Sequence, residues 1–518
     1  MIPPGTGTGG SGGIFRKMNN SINRSFPKAI IEYFLVALSG VIYIFQCSSW
    51  TSPLYPYAYG YDSSWYSLMG RAITAGKVPY RDYFDLKGPS LFFYEAFGQL
   101  FIKGRNGIFL IQCISIILTA ILVWKTGRLF FNRILSAVLL LLYYYGAYAL
   151  IWGGNTVEEL FMPCSMAAVY LTLDYILNEE KPVTEPENSA LIFGVGFGIF
   201  LFSKVTVAAV ICASLLTVFI MMVRKKKWDV LRKCAINFLI GNLFIAVPLF
   251  IYFTVNGALK DFIYCSFLFA FKRSTDYYEG FSISWERNLI ICYASFLYGL
   301  FMKTRDEKER DLKIFILITA FLQFILLHLG TPYLYYFLSQ MPVYIILFTY
   351  FMKDFLQIIR DIRNNESICI QRITVLIIAV VIVLLQLFPL TSDKFLENIM
   401  IYYEDTGKEQ YFDCKEIAAL VPEWERDDIY NLESGMIYYE INQDLPSNRY
   451  PVNLPYFLHL DPSIKTDVMN KLQYDTPKWI ISERLWDFDD EDVKKYVFSH
   501  YEIIAENDGE ELYRLLDE

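Results

Sequence analysis

A handful of charged and phenolic residues sets the chemistry open to this chain. Asp62 stands at the head of an apolar helical stripe, and Arg81, Asp82, Asp85 and Lys87 follow within seven positions in PYRDYFDLKGP. Farther on come the pair Glu158 and Glu159, then Lys204 between two apolar runs, Lys272 and Arg273 in a second long loop, and Tyr333, Tyr335 and Tyr336. A carboxylate can take the proton of an acceptor hydroxyl, while a Lys or Arg stabilises a phosphate that departs as an anion. Lys87 or Arg81 suits the second role. No CxxC pair occurs, and His328, His459 and His500 are too scattered for a metal cage, so no zinc site is expected. No cofactor is evident, and a divalent metal requirement is left open.

The elements that must hold these residues follow from composition. Of 518 residues, 54% are hydrophobic, 17% aromatic and only 19% charged. Soluble domains carry about a quarter charged residues, so the balance excludes a wholly soluble enzyme, a disordered chain and a nucleic-acid binder. A polytopic α-helical membrane protein remains. Eleven segments are long and apolar enough to span: roughly 29–48, 107–124, 134–152, 159–177, 189–203, 205–223, 234–254, 287–302, 314–329, 335–352 and 368–388. The stretch 189–223 reads as one helix or as two that meet at Lys204. Two crossings place the basic loops Arg16–Lys28, Lys125–Arg133, Arg224–Lys233, Lys303–Lys313 and Lys353–Arg372 on one side, so two are predicted, with a cytoplasmic N-terminus.

Three regions result. Residues 1–28 form a cytoplasmic leader; its first 17 residues are rich in Gly, Thr and Ser and read as flexible or as an expression scar, with Met18 a candidate start. Residues 29–388 form the membrane domain, with large external loops at 49–106 and 255–286. Residues 389–518 carry 12 Lys+Arg against 30 Asp+Glu, and the odd span count exports them. Residues 391–426 read as polar helix, while DIYNL, KWIIS, YEIIAE and ELYRL read as strands of a small α/β domain, with a hairpin turn at Asn507-Asp508-Gly509. Cys414 is alone there, so no internal disulfide is expected.

In the first loop, Ser63–Ala75 reads as an amphipathic helix lying on the membrane surface, with Trp65, Leu68, Met69, Ala72 and Ile73 as its apolar stripe. Leu91–Phe101 reads as a second surface helix. Each candidate has a structural alternative beside the chemical one. Asp62 could cap its helix; Asp82 and Asp85 could pair with Arg81 and Lys87; Glu158 and Glu159 could favour a helix N-terminus; Lys204 could reach for headgroups. Trp50, Trp65, Trp152 and Trp285 fit an aromatic belt at the outer boundary. Gly194, Gly196 and Gly198 sit in an apolar span and read as helix packing rather than as a nucleotide loop. The DFDDEDV cluster at 487–493 opens a helix.

The order of Asp62-Ser-Ser-Trp-Tyr66, then Gly76-Lys-Val-Pro-Tyr80-Arg-Asp82-Tyr-Phe-Asp85-Leu-Lys87-Gly-Pro89, resembles the first external loop of the C-type membrane glycosyltransferases. These are the bacterial relatives of protein O-mannosyltransferases and of the lipid A aminoarabinose transferase. Gly154-Asn-Thr-Val-Glu158-Glu159, Lys204 in GIFLFSKVT and Tyr333-Leu-Tyr335-Tyr336 extend the likeness. The resemblance implies inverting transfer of a sugar from a polyprenyl-phosphate carrier to an acceptor hydroxyl at the external face of the plasma membrane. Asp62 would match the catalytic carboxylate and Lys87 the basic residue near the carrier phosphate. Arg81, Asp82, Asp85, Glu158, Glu159, Lys204, Arg273 and Tyr335 are the further substrate-binding candidates. The acceptor would be an envelope glycan, lipid or protein. Two departures are Ser63, where many relatives carry Glu, and Gly88, in place of the first proline of a KPP-like triplet.

A transporter or flippase for a lipid-linked saccharide is the rival class. It calls for ionisable groups at mid-membrane, whereas the acidic residues inside spans, Glu32 and Asp174, sit near the cytoplasmic ends. A surface sensor built on the acidic tail ranks last, because it leaves the first loop without a task.

Overall fold

An apolar run inside a bilayer must satisfy its backbone internally, and each of the eleven apolar segments is largely helical over its described residues in the computed structural model. The structure describes residues 12–276, 288–302, 304–329, 333–364, 370–432, 435–482, 485, 488–507 and 510–516. The first eleven residues, Trp285, and the Asp508-Gly509 part of the expected turn lie outside the described residues.

The first twelve helices are α1 (Gly12–Cys47), α2 (Tyr61–Thr74), α3 (Pro89–Phe101), α4 (Arg105–Phe130), α5 (Arg133–Leu150), α6 (Val157–Leu160), α7 (Met162–Leu177), α8 (Pro186–Leu201), α9 (Ala209–Arg224), α10 (Trp228–Val255), α11 (Leu259–Ile263) and α12 (Ala270–Asp276). Helices at Ile290–Phe301, Glu307–His328, Met341–Arg363 and Ile370–Tyr403 complete the membrane part. Among the described residues, seven helices have the length and apolarity to cross a bilayer, and Met162–Leu177, Pro186–Leu201 and Ile290–Phe301 are shorter apolar helices.

The stretch 189–223 forms two helices that part at Lys204. Phe202, Ser203 and Lys204 break the helix, with Lys204 extended at φ −151°, and a 3-10 turn at Val205–Ala208 restarts it. The glycine reading holds as well. A Cβ on Gly194 would lie 2.1 Å from the Phe238 carbonyl oxygen of α10, and one on Gly241 would lie 2.2 Å from that of Leu191. Gly194→Val is therefore expected to force α8 and α10 apart and cost about 1–3 kcal/mol, read as a lower unfolding temperature in detergent.

The last apolar helix runs past the boundary that its sequence implies. Ile370–Tyr403 is one helix of 34 residues with Pro389 inside it, so the boundary expected at 389 falls mid-helix. Asn398 donates to the carbonyl of Gln46, at the end of α1, which puts Asn398 level with the end of that span. Phe388, Phe395, Leu396, Ile399 and Tyr403 carry an exposed apolar stripe along it at helical spacing. Asp393, Lys394 and Glu397 lie between these residues and masked the stripe's continuation.

The C-terminal part forms a four-stranded sheet, β1 (Ile429–Asn431), β2 (Trp479–Ser482), β3 (Tyr501–Asn507) and β4 (Glu510–Leu515), in the order β1-β2-β4-β3. β1 pairs parallel to β2, with Ile429 opposite Trp479; β2 and β3 each pair antiparallel to β4. All four expected strand segments are present. Asp490 caps the helix Glu491–His500, the helix anticipated from the acidic cluster, by accepting from the backbone of Asp492 and Val493. Cys414 is buried and unpaired.

One expected element changes character. α2 is not the half-exposed amphipathic helix expected, because both of its faces are covered by protein. Ser63, Ser64 and Ser67 are as buried as Trp65, Leu68 and Met69. α3 packs so closely against it that a Cβ on Gly70 would meet Glu95 at 2.7 Å, and the C-terminal helix Met436–Asn442 covers another side. Small hydroxyl side chains, which looked like a solvent face, allow that close packing. Trp50 and Trp65 also leave the expected belt. Trp50 fills the space that Cβ atoms on Gly60 and Gly153 would need, and buried Trp65 donates to Asp85.

Candidate active site

The site is assembled at the end of the bundle that carries the C-terminal part. Asp62 lies in the first turn of α2, but Gly60 holds the N-cap position, so the capping alternative does not apply. One Asp62 oxygen accepts from the Tyr335 hydroxyl at 3.2 Å, and the other stands 3.7 Å from Lys87 Nζ. About a third of the Asp62 side chain (35%) is exposed, which leaves the carboxylate open to a substrate. Tyr66, one helical turn on, presents its ring to Lys87 at 4.7 Å and its hydroxyl to Asp62.

Lys87 is delivered by a folded strap, residues 77–88. Asp82 accepts from the backbone of Val78 at 2.6 Å, Tyr80 takes a left-handed φ of 69°, and the Tyr80 hydroxyl donates to the Lys87 carbonyl at 2.7 Å. Asp85 accepts from the Lys87 backbone N–H at 2.7 Å and from the Trp65 indole, tying the strap to α2. The strap then passes the helix break. Gly88 N–H donates to the Ser203 carbonyl at 3.2 Å, and a Cβ there would lie 2.3 Å from the Phe202 backbone. A proline at 88 would lack that N–H and collide, which gives the departure from a KPP-like triplet a local cause.

A second carboxylate–lysine pair stands beside the first. The break aims Lys204 at Glu158, 2.5 Å away and almost fully buried, and Lys204 also lies over the rings of Tyr335 and Tyr336. Tyr335 thus contacts both pairs. Arg273, at the end of α12, lies 5.5 Å from the ring of Tyr456, and its charge acts on both Asp62 and Lys87.

The electrostatics keep both members of the first pair charged. Burial raises the Asp62 carboxyl, but Lys87, hydrogen bonds from Tyr335 and Tyr66, and the charge of Arg273 outweigh it and hold the group below the usual carboxylate range. Burial works against the Lys87 ammonium, yet Asp62 and Asp85 overcome it and raise its pKa. Tyr335→Phe removes one donor to the carboxylate. The acid limb of activity is expected to move to higher pH, with a fall in rate of about three- to tenfold, read from rate–pH profiles.

The structure thus gathers Asp62, Lys87, Glu158, Lys204 and Tyr335, with Arg273 in electrostatic reach. Three candidates do not join them. Arg81 pairs with Asp82 at 2.8 Å and donates to the Asn256 carbonyl, so both residues stiffen the strap. Glu159 points into the bundle, accepting from Gln112 and from the backbone of Asn155. Asp85 serves the strap by its contacts and Lys87 by its charge. Tyr66 went unnamed as a chemical group, although it follows Asp62 by four positions, the spacing that shares a helix face. Among the described residues, no group of three metal-ligating side chains comes together.

With this geometry, comparison with known proteins becomes informative. Residues 89–253 match the family described as dolichyl-phosphate-mannose-protein mannosyltransferase. ArnT from Cupriavidus metallidurans, solved bound to undecaprenyl phosphate, superposes with a TM-score of 0.57 over 94% of this chain and 98% of that one, at 13% identity. The chain has the fold of the C-type membrane glycosyltransferases. Its apo form matches equally, with a TM-score of 0.57 over the same shares at 12% identity. No curated protein matches. The family match begins two residues after Lys87, so Asp62 and Lys87 lie outside it.

Proposed function

We propose that this protein transfers a sugar from a polyprenyl-phosphate carrier to an acceptor hydroxyl at the external membrane face, with inversion. The observation that carries this reading is the open Asp62 carboxylate, held ionised beside Lys87 on a fold shared with a protein solved bound to undecaprenyl phosphate. The carrier phosphate meets Lys87, with Arg273 adding positive charge. Asp62 takes the proton of the acceptor hydroxyl as its oxygen attacks the anomeric carbon. The bond from that carbon to the phosphate oxygen breaks on the opposite side, and polyprenyl phosphate leaves as an anion facing Lys87. Back-side attack inverts the anomeric centre. Glu158 and Lys204, bridged to Asp62 through Tyr335, line the side from which donor or acceptor is held. The positive-inside pattern supports the external setting, because the C-terminal part and the site share one end of the bundle.

The charge distribution supports an enzyme over a flippase. Glu32 is bound to Trp124 and Arg133, and Asp174 to Asn178 and the backbone of Val183, so both serve structure far from the site. Offering the purified protein polyprenyl-phosphate sugars and nucleotide sugars in parallel tests the donor class. Consumption of the lipid-linked donor alone is expected; consumption of a nucleotide sugar alone would overturn the reading.

A further inference from the structure

The two elements that carry Asp62 and Lys87 both dock on one short segment of the C-terminal part, residues 439–449. Arg71 closes α2, and its side chain is nearly buried (9% exposed). It donates to the Glu440 carboxylate at 2.9 Å, the Tyr439 carbonyl at 2.9 Å, the Asp444 carbonyl at 3.0 Å and the Gln443 side chain at 3.4 Å. A planar guanidinium can meet four acceptors in a fixed fork, which a Lys cannot. The strap docks next to it. The Tyr83 hydroxyl donates to the Pro446 carbonyl at 2.8 Å, Phe84 N–H donates to the Arg449 carbonyl at 2.7 Å, and Arg449 donates back to the Tyr80 carbonyl and to Asp261. Tyr439 and Tyr83 are buried. Each element thus has a hydrogen-bonded anchor on the same segment, while Asp62 and Lys87 meet at a loose 3.7 Å.

We propose that the segment 439–449 is a template that sets the spacing of Asp62 and Lys87, with Arg71 its principal positioning residue, so that the C-terminal domain is part of the catalytic apparatus and not only an appendage for acceptors. The Asp62–Trp65–Arg71 helix and the Tyr83–Lys87 strap are cross-tied to each other by the Trp65–Asp85 bond, and each is tied to the template, the helix at Arg71 and the strap at Tyr83 and Phe84. Displacement of α2 by one ångström alters the attack geometry directly, because hydroxyl, anomeric carbon and phosphate must stay in line. This inference rests on the transferase reading above.

The test uses the full-length protein in detergent, with wild type, Arg71→Ala, Arg71→Lys and Tyr83→Phe. Two readouts are taken: sugar transfer, split into kcat and KM, and thermal stabilisation by added polyprenyl phosphate. Arg71→Ala is expected to lower kcat about ten- to a hundredfold and to weaken the stabilisation by polyprenyl phosphate, with KM for the acceptor held within about twofold. Arg71→Lys should fall between wild type and Ala, and Tyr83→Phe should lower kcat about two- to fivefold without loss of fold. A folded Arg71→Ala protein with wild-type kcat and wild-type polyprenyl-phosphate stabilisation would overturn the template. Should Arg71→Ala unfold, Tyr83→Phe decides, and wild-type kcat and stabilisation in that variant would overturn it. If wild type transfers no sugar, the transferase reading fails by itself, and the stabilisation series still reports whether the segment positions Lys87.

Discussion

Asp62→Asn is expected to lower sugar transfer about 10²- to 10⁴-fold while polyprenyl-phosphate binding persists. The amide keeps the shape of the side chain and an oxygen for the Tyr335 hydroxyl, so the local fold is retained. It cannot take a proton. Lys87, relieved of its counter-charge at 3.7 Å, stays available to a phosphate. Initial rates on wild type and variant, with thermal shifts to confirm folding and carrier binding, check this outcome. Equal rates would return Asp62 to a structural role and leave Glu158 as the base, since Asp82 and Asp85 are committed to the strap.

Lys87→Met is expected to act twice. Loss of the ammonium removes the charge that meets the departing phosphate, lowering the rate about 10²- to 10³-fold. It also removes the first of the groups that hold the Asp62 carboxyl down against burial. In wild type the folded pKa of Asp62 is depressed, so the carboxylate form persists as pH falls through the usual carboxylate range and is lost only below it. Without Lys87 the pKa rises, and the acid limb of the rate–pH profile moves to higher pH. A lower rate with an unmoved acid limb would separate Lys87 from Asp62 and assign it to the phosphate alone.

Much of this molecule is legible in its sequence, for reasons tied to particular residues. Spans are read from apolar length, and the break at Lys204 from the side on which RKKKWDVLRK must fall. Strands such as KWIIS are read from β-branched and aromatic runs. The environment of α2 is not legible in this way. Its serines look solvent-facing in a linear pattern, yet they are small enough to be buried between α3 and the helix Met436–Asn442. The same difficulty applies inside PYRDYFDLKGP. Four charged residues share a short strap there, and only the fold separates Lys87, which faces Asp62, from Arg81 and Asp82, which bond to each other. Arg71 is the clearest omission. It occupies a helix C-terminus, where a basic residue needs no special reason, and its partners lie more than 360 positions away.

The central claim, that this site breaks the bond between a sugar and a lipid phosphate, is tested most directly by counting polyprenyl phosphate released from a panel of radiolabelled polyprenyl-phosphate sugars. Purified wild type and Asp62→Asn are compared in vesicles with acceptor extracts. The account predicts release from one donor by wild type, a transferred sugar of inverted anomeric configuration, and near-background release by the variant. Movement of intact lipid-linked sugar across the vesicle membrane, with no carrier released from any donor, would contradict it.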